Sequence, residues 1–233
     1  TLDLLGKAAD ITNLDPEWYE DSDAVLIGPI LGEISFAEIK KIRANFDGLF
    51  FCDPQGLLRG VDGDGRITHS KPDGIEEALG VFDVVKPNEL EGQVLTGIDC
   101  RQDPHRAAKI IHSWGPKIVL LTLAELGAVV FDGDTFTEIP PDEIRPAQDI
   151  PAFEVNLIDS TGAGDTSMAG FTFEYLRTGD IVKSACFAGA TSSSMIENVG
   201  PDFEMTEQMV RARAAKLYAQ IESGYRLELP AAK

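Results

Sequence analysis

Short apolar runs alternate with longer amphipathic stretches along most of this chain, and each run ends near Gly, Pro or Asp. That rhythm is the signature of βαβ units around a mostly parallel sheet, so it points to an α/β layered fold. Strands are expected at 24–30, 49–52, 81–85 and 118–123, with a helix at 36–44. Segments 127–131 and 135–139 flank Asp132-Gly133-Asp134, a hairpin signal that adds an antiparallel edge. A last strand, 154–158, leads through a Gly-rich turn into a helix whose Met168, Phe171, Thr172, Tyr175 and Leu176 share one face. Helices at 181–196 and 204–221 close the pattern. No repeat, low-complexity segment or internal linker divides it, so residues 1–233 are expected to form a single domain.

The 233 residues carry a formal net charge of −19. Such a chain has no general basic surface for nucleic acid or anionic lipid, so a bound polyphosphate must be held locally, by backbone amides and metal ions. Cys52, Cys100 and Cys186 are odd in number and far apart, which argues against a disulfide framework and suits a reducing cytoplasm. No apolar run approaches the roughly 18 residues of a membrane span. Asp62-Gly63-Asp64-Gly65 is a turn between 57–61 and 66–69 rather than a calcium loop, because Arg66 occupies an acidic ligand position of an EF-hand.

The stretch Asp159-Ser160-Thr161-Gly162-Ala163-Gly164-Asp165 follows an apolar strand and opens a helix. Small residues there let backbone approach a ligand, and first-turn amides are free donors at the positive end of the helix dipole. Asp165 beside a bound anion makes little sense as a phosphate ligand and good sense as a base toward a hydroxyl. The bland alternative is an ordinary Gly-rich βα turn with Asp as a dipole partner. In Lys86-Pro87-Asn88-Glu89-Leu90-Glu91, Asn88 and Glu91 form a capping box on one reading. On the other they organise water, Mg²⁺ and phosphates.

Together the two stretches resemble the PfkB, or ribokinase-like, carbohydrate kinase family in motif content and order, over nearly the whole chain. The resemblance implies a ribokinase-like three-layer α/β/α sandwich with a mostly parallel central sheet, and ATP-dependent phosphoryl transfer to a hydroxyl of a sugar, cyclitol or nucleoside. It makes Asp165 the catalytic base and Gly162, Ala163 and Gly164 the anion hole. Asn88 and Glu91 then act on Mg²⁺ through water. Thr122 and Gly127 lie on the nucleotide side, although Ala124 stands where the family usually has glycine. Gly189 and Ala190 border the adenine pocket on this resemblance, or serve only close helix packing. Gly28-Pro29-Ile30 with Glu33, Asp53-Pro54-Gln55-Gly56 with Arg59, and Glu197-Asn198-Val199-Gly200-Pro201 look most like archaeal sugar kinases and the myo-inositol kinase branch. A monovalent cation and a homodimer of the full-length protein are compatible with the family.

Family members usually open with a strand, a Gly-Gly substrate segment and a small β lid, none of which precedes Thr1, so the chain is expected to be truncated and to lack most acceptor contacts. Two rivals remain: a catalytically silent nucleotide- or sugar-binding member, and a dinucleotide oxidoreductase. The second is disfavoured because the turn lacks G-x-G-x-x-G and no acidic residue ends a following strand. There is also no Walker A lysine motif.

Overall fold

The computed structural model describes residues 6–142, 161–197 and 205–230. The chain divides into two compact units, one of Thr1–Leu123, Val129–Phe136 and Leu229–Lys233, the other of Ala124–Ala128 and Thr137–Glu228. The strands are β1 (Ala24–Ile27), β2 (Leu49–Cys52), β3 (Arg59–Val61), β4 (Ile67–His69), β5 (Val84–Val85), β6 (Ile118–Thr122), β7 (Ala128–Phe131) and β8 (Phe136–Ile139). The helices are α1 (Phe36–Ala44), α2 (Ile75–Leu79), α3 (Glu89–Thr96), α4 (Pro104–His112), α5 (Ala163–Thr178), α6 (Ile181–Ile196) and α7 (Glu207–Glu222). One sheet has the order β1-β2-β5-β6-β7-β8, and β3 and β4 form a separate ribbon.

In the first unit β1, β2, β5 and β6 pair in parallel, with Ala24 beside Leu49, Phe51 beside Val84, and Val84 beside Ile118. This is the expected α/β sheet. Helices cover one of its faces: Ile39 and Ile42 of α1, Ile75 and Leu79 of α2, Leu95 of α3 and Ile111 of α4 join Phe50, Cys52, Val85 and Val119 in one buried cluster. β1 stops at Ile27, earlier than expected, because the chain turns away at Gly28-Pro29, where proline has no amide to give a ladder. The start of the expected 81–85 strand instead holds Phe82 against the core after α2, leaving a two-residue strand. The Asp132 turn forms as read, its carboxylate accepting from the amides of Asp134 and Thr135.

The second unit is built mainly on α5, α6 and α7, with α5 packed on α6 and α6 on α7. Met168, Phe171 and Thr172 are buried as the periodicity predicted, whereas Leu176 is exposed. The expected strand at 154–158 lies outside the described residues.

Candidate active site

In the first unit the chain leaves adjacent parallel strands at the same edge. That is the carboxyl edge of a parallel sheet, where α/β folds place ligands. Asp53 follows β2, Lys86 follows β5, and Thr122 ends β6. The Lys86 ammonium, almost fully buried, is 2.8 Å from the Asp53 carboxylate. Asn88 makes a parallel bridge to Thr122, and the Thr122 amide donates to the Pro87 carbonyl at 3.0 Å. The structure therefore brings together three residues that the sequence singled out: Asn88, Glu91 and Thr122. The Asp53–Lys86 pair escaped sequence reasoning. Its signal was a charged residue directly after each of two apolar runs, but only strand order shows that those runs are neighbours.

Asn88 and Glu91 form a complete capping box. The Asn88 side-chain oxygen accepts from the Glu91 amide at 2.9 Å, and the Glu91 carboxylate accepts from the Asn88 amide at 2.9 Å and from its side-chain nitrogen at 2.8 Å. Burial, and then the Asp53 charge, push the Glu91 carboxyl up to about 7, against the opposing pull of the Asn88 amide, Lys86 and Arg59. Each Glu91 oxygen takes one bond from Asn88 and keeps a lone pair. Among the described residues no group of three or more His, Cys, Asp or Glu side chains is arranged to hold a metal ion. A donor set of this kind fits Mg²⁺ only through the ion's own waters and a phosphate, a mode that Mg²⁺ favours.

In the second unit Gly162, Ala163, Gly164 and Asp165 sit at the start of α5. Gly162 has φ 84°, a left-handed conformation that glycine adopts without strain, and it supplies no capping side chain. By contrast α1, α3, α4, α6 and α7 begin on Ser35, Asn88, Asp103, Asp180 and Thr206, each of which accepts a first-turn amide. α5 is thus the one described helix of eight or more residues without a side-chain N-cap. The Gly162 carbonyl takes both the amide and the hydroxyl of Thr166, at 2.9 and 2.8 Å, which fixes the turn. Asp165 lies exposed in that first turn and, among the described residues, has no hydrogen-bond or ion-pair partner.

The remaining expected residues have local packing roles. Gly127 has φ 95°, and a Cβ there would lie 2.1 Å from the Ile139 carbonyl oxygen. Ala124 has φ 49°, so the position where glycine was expected does adopt the left-handed backbone, with alanine tolerating it. Ala190 is fully buried in α6, and a Cβ on Gly189 would touch Leu217 of α7 at 3.4 Å.

Residues 62–208, more than half of the chain, match the family model described as pfkB family carbohydrate kinase. The chain belongs to the pfkB family. Over 170 residues it is 36% identical to a cytidine kinase of Thermococcus kodakarensis, an alignment covering 70% of this chain and 51% of that protein. The chain spans about half the length of that curated relative. Among solved structures it is similar to a pyrophosphate-dependent myo-inositol-1 kinase converted into a myo-inositol-3 kinase by a double mutation, with 26% identity, a TM-score of 0.72, and coverage of 93% of this chain and 70% of that one. The Arabidopsis thaliana ribokinase complexed with ribose and ATP shares the fold, with 23% identity, a TM-score of 0.65, and coverage of 90% and 60%. The ribokinase-like α/β fold read from the sequence is therefore the fold of this pfkB chain.

Proposed function

We propose that this pfkB chain works as one kinase domain that transfers the terminal phosphoryl group of ATP to an alcohol hydroxyl of a sugar, cyclitol or nucleoside. The observation that carries the reading is the uncapped start of α5. First-turn amides that no side chain among the described residues caps, at the positive end of a sixteen-residue helix, suit an oxyanion from outside the chain. The amides of 162–165 hold the charge that develops on the transferring phosphoryl. Asp165 accepts the hydroxyl proton as the acceptor oxygen bonds to phosphorus and the bond from phosphorus to the leaving phosphate breaks; the proton then passes to water. Asn88 and Glu91, with Thr122 beside them, steady the waters of a Mg²⁺ ion, which when bound neutralises donor phosphate charge. Asp53 and Lys86 keep the strand ends that carry those residues together.

A second donor has support of its own. The family's glycine is alanine at 124, Ala190 is fully buried, and the similar myo-inositol kinase uses pyrophosphate. Purified protein should be assayed with ATP or pyrophosphate against ribose, myo-inositol and cytidine, with and without Mg²⁺. Mg²⁺-dependent transfer from ATP to at least one acceptor is the expected result. Transfer from pyrophosphate alone favours the second donor, and transfer from neither rejects the reading.

A further inference from the structure

The second unit holds a cleft of about 260 Å³ away from the start of α5. Glu174, on its wall, stands about 14 Å along the α5 axis from Asp165. Cys186 and Phe187 of α6 and Ala214, Ala215 and Tyr218 of α7 give the cleft a mostly apolar lining. Burial, and then Asp180, push the Cys186 thiol up to about 12, so it stands there as a neutral group. The space is smaller than the roughly 300–1,000 Å³ of a site for a drug-sized molecule, and it suits a body of one ring.

Three cations, Arg177, Lys183 and Arg211, stand at this cleft against one lining carboxylate, Glu174, in a chain whose net charge is −19. Glu174 is buried and fully engaged: it accepts from Nε and one terminal nitrogen of Arg177 at 3.0 and 2.6 Å, and from a terminal nitrogen of Arg211 at 3.0 Å. Arg211 spends its other nitrogens on Glu207 and lies over the Phe187 ring, 5.2 Å from its centroid, so its place is fixed. Arg177 and Lys183 keep capacity. The second terminal nitrogen of Arg177 makes no hydrogen bond among the described residues, and the side chain is half exposed. The Lys183 ammonium sits over the Tyr218 ring, 5.6 Å from its centroid, and 3.1 Å from Asp180, which leaves further N–H donors unused. That ion pair is open to water, and pairs of this kind hold weakly, so an incoming anion can share the lysine. A one-ring apolar space with spare cationic donors at its rim is complementary to an anion carried on a flat ring.

We propose that this cleft binds a small aromatic anion, its ring against Phe187, Ala215 and Tyr218 and its acidic group on Arg177 and Lys183. The inference stands apart from the kinase reading, since none of these residues takes part in the proposed transfer. The test is calorimetric titration of the intact protein with phenyl phosphate, inorganic phosphate and phenol, alongside thermal melting of each variant. Phenyl phosphate should bind at millimolar concentration or below, about tenfold more tightly than either phosphate or phenol. Ala215→Leu, which fills the cleft from an exposed position of α7, should abolish that binding, and Arg177→Met and Lys183→Met should each weaken it about tenfold. Asp165→Asn should bind as the parent does, which keeps a failure of the kinase reading separate from a failure here. If Arg177→Met, which removes a partner of buried Glu174, does not fold, Lys183→Met and Ala215→Leu decide. Affinity unchanged in Ala215→Leu, as binding at the start of α5 would give, overturns the proposal. So does equal affinity for phosphate and phenyl phosphate, or no binding of phenyl phosphate at millimolar concentration.

Discussion

Glu91 is a buried carboxylate whose surroundings pull its proton both ways. As a cap it must accept from Asn88, which favours the charged form, yet burial and Asp53 lift its carboxyl to about 7 from an ordinary 4.5. The protonated form is thus favoured in the folded state relative to the unfolded chain. The stability it contributes is fully present below pH 4.5, is lost as pH rises toward 7, and changes little above that. The melting temperature of the parent protein relative to Glu91→Gln should therefore fall across pH 4.5 to 7, by the equivalent of something on the order of 3 kcal/mol at most. A flat difference across that window would show that Glu91 does not carry this shift. The capping box itself was legible, because Asn-x-x-Glu is a local pattern. The lifted carboxyl was not, since Asp53 arrives from another strand. The left-handed backbone at Ala124 was legible only as a missing glycine.

At the scale of elements, α5 is positioned by its packing on α6. A Cβ on Gly170 would lie 2.3 Å from the Thr191 hydroxyl and 3.2 Å from the Thr191 Cβ, and that hydroxyl sits within hydrogen-bond reach of the Phe187 and Ala188 carbonyls. Threonine is stiff and cannot swing away, so Gly170→Ala must push the helices apart. The expected cost is about 1–3 kcal/mol, read as a lower melting temperature and denaturant midpoint. An unchanged midpoint would mean that α5 rests on other contacts. Two helices were fully legible: α1 and α6 coincide with their expected spans, because their apolar spacing and caps, Ser35 and Asp180, are local signals, whereas α2 and α4 were not anticipated. Strand ends were less so. β1 and β5 came out shorter than their apolar runs, since hydrophobicity marks burial and not ladder pairing.

At the scale of the molecule, the acidic balance and the motif order together account for the chemistry. With a net charge of −19 the chain cannot hold a polyphosphate by bulk attraction, so on the proposed reading local amides and a hydrated cation do so. The motif order was enough to read the family. Strand order was not in the sequence, and with it the Asp53–Lys86 pair stayed hidden until the fold made β2 and β5 neighbours. The central claim is that Asp165, at the uncapped start of α5, takes the proton of the acceptor hydroxyl. Steady-state kinetics of Asp165→Asn in the intact protein, with donor affinity measured separately, tests it most directly. The account predicts that turnover falls by about 10²-fold or more while donor affinity stays within a few-fold, since a base acts on the chemical step. Turnover close to that of the parent protein would contradict it.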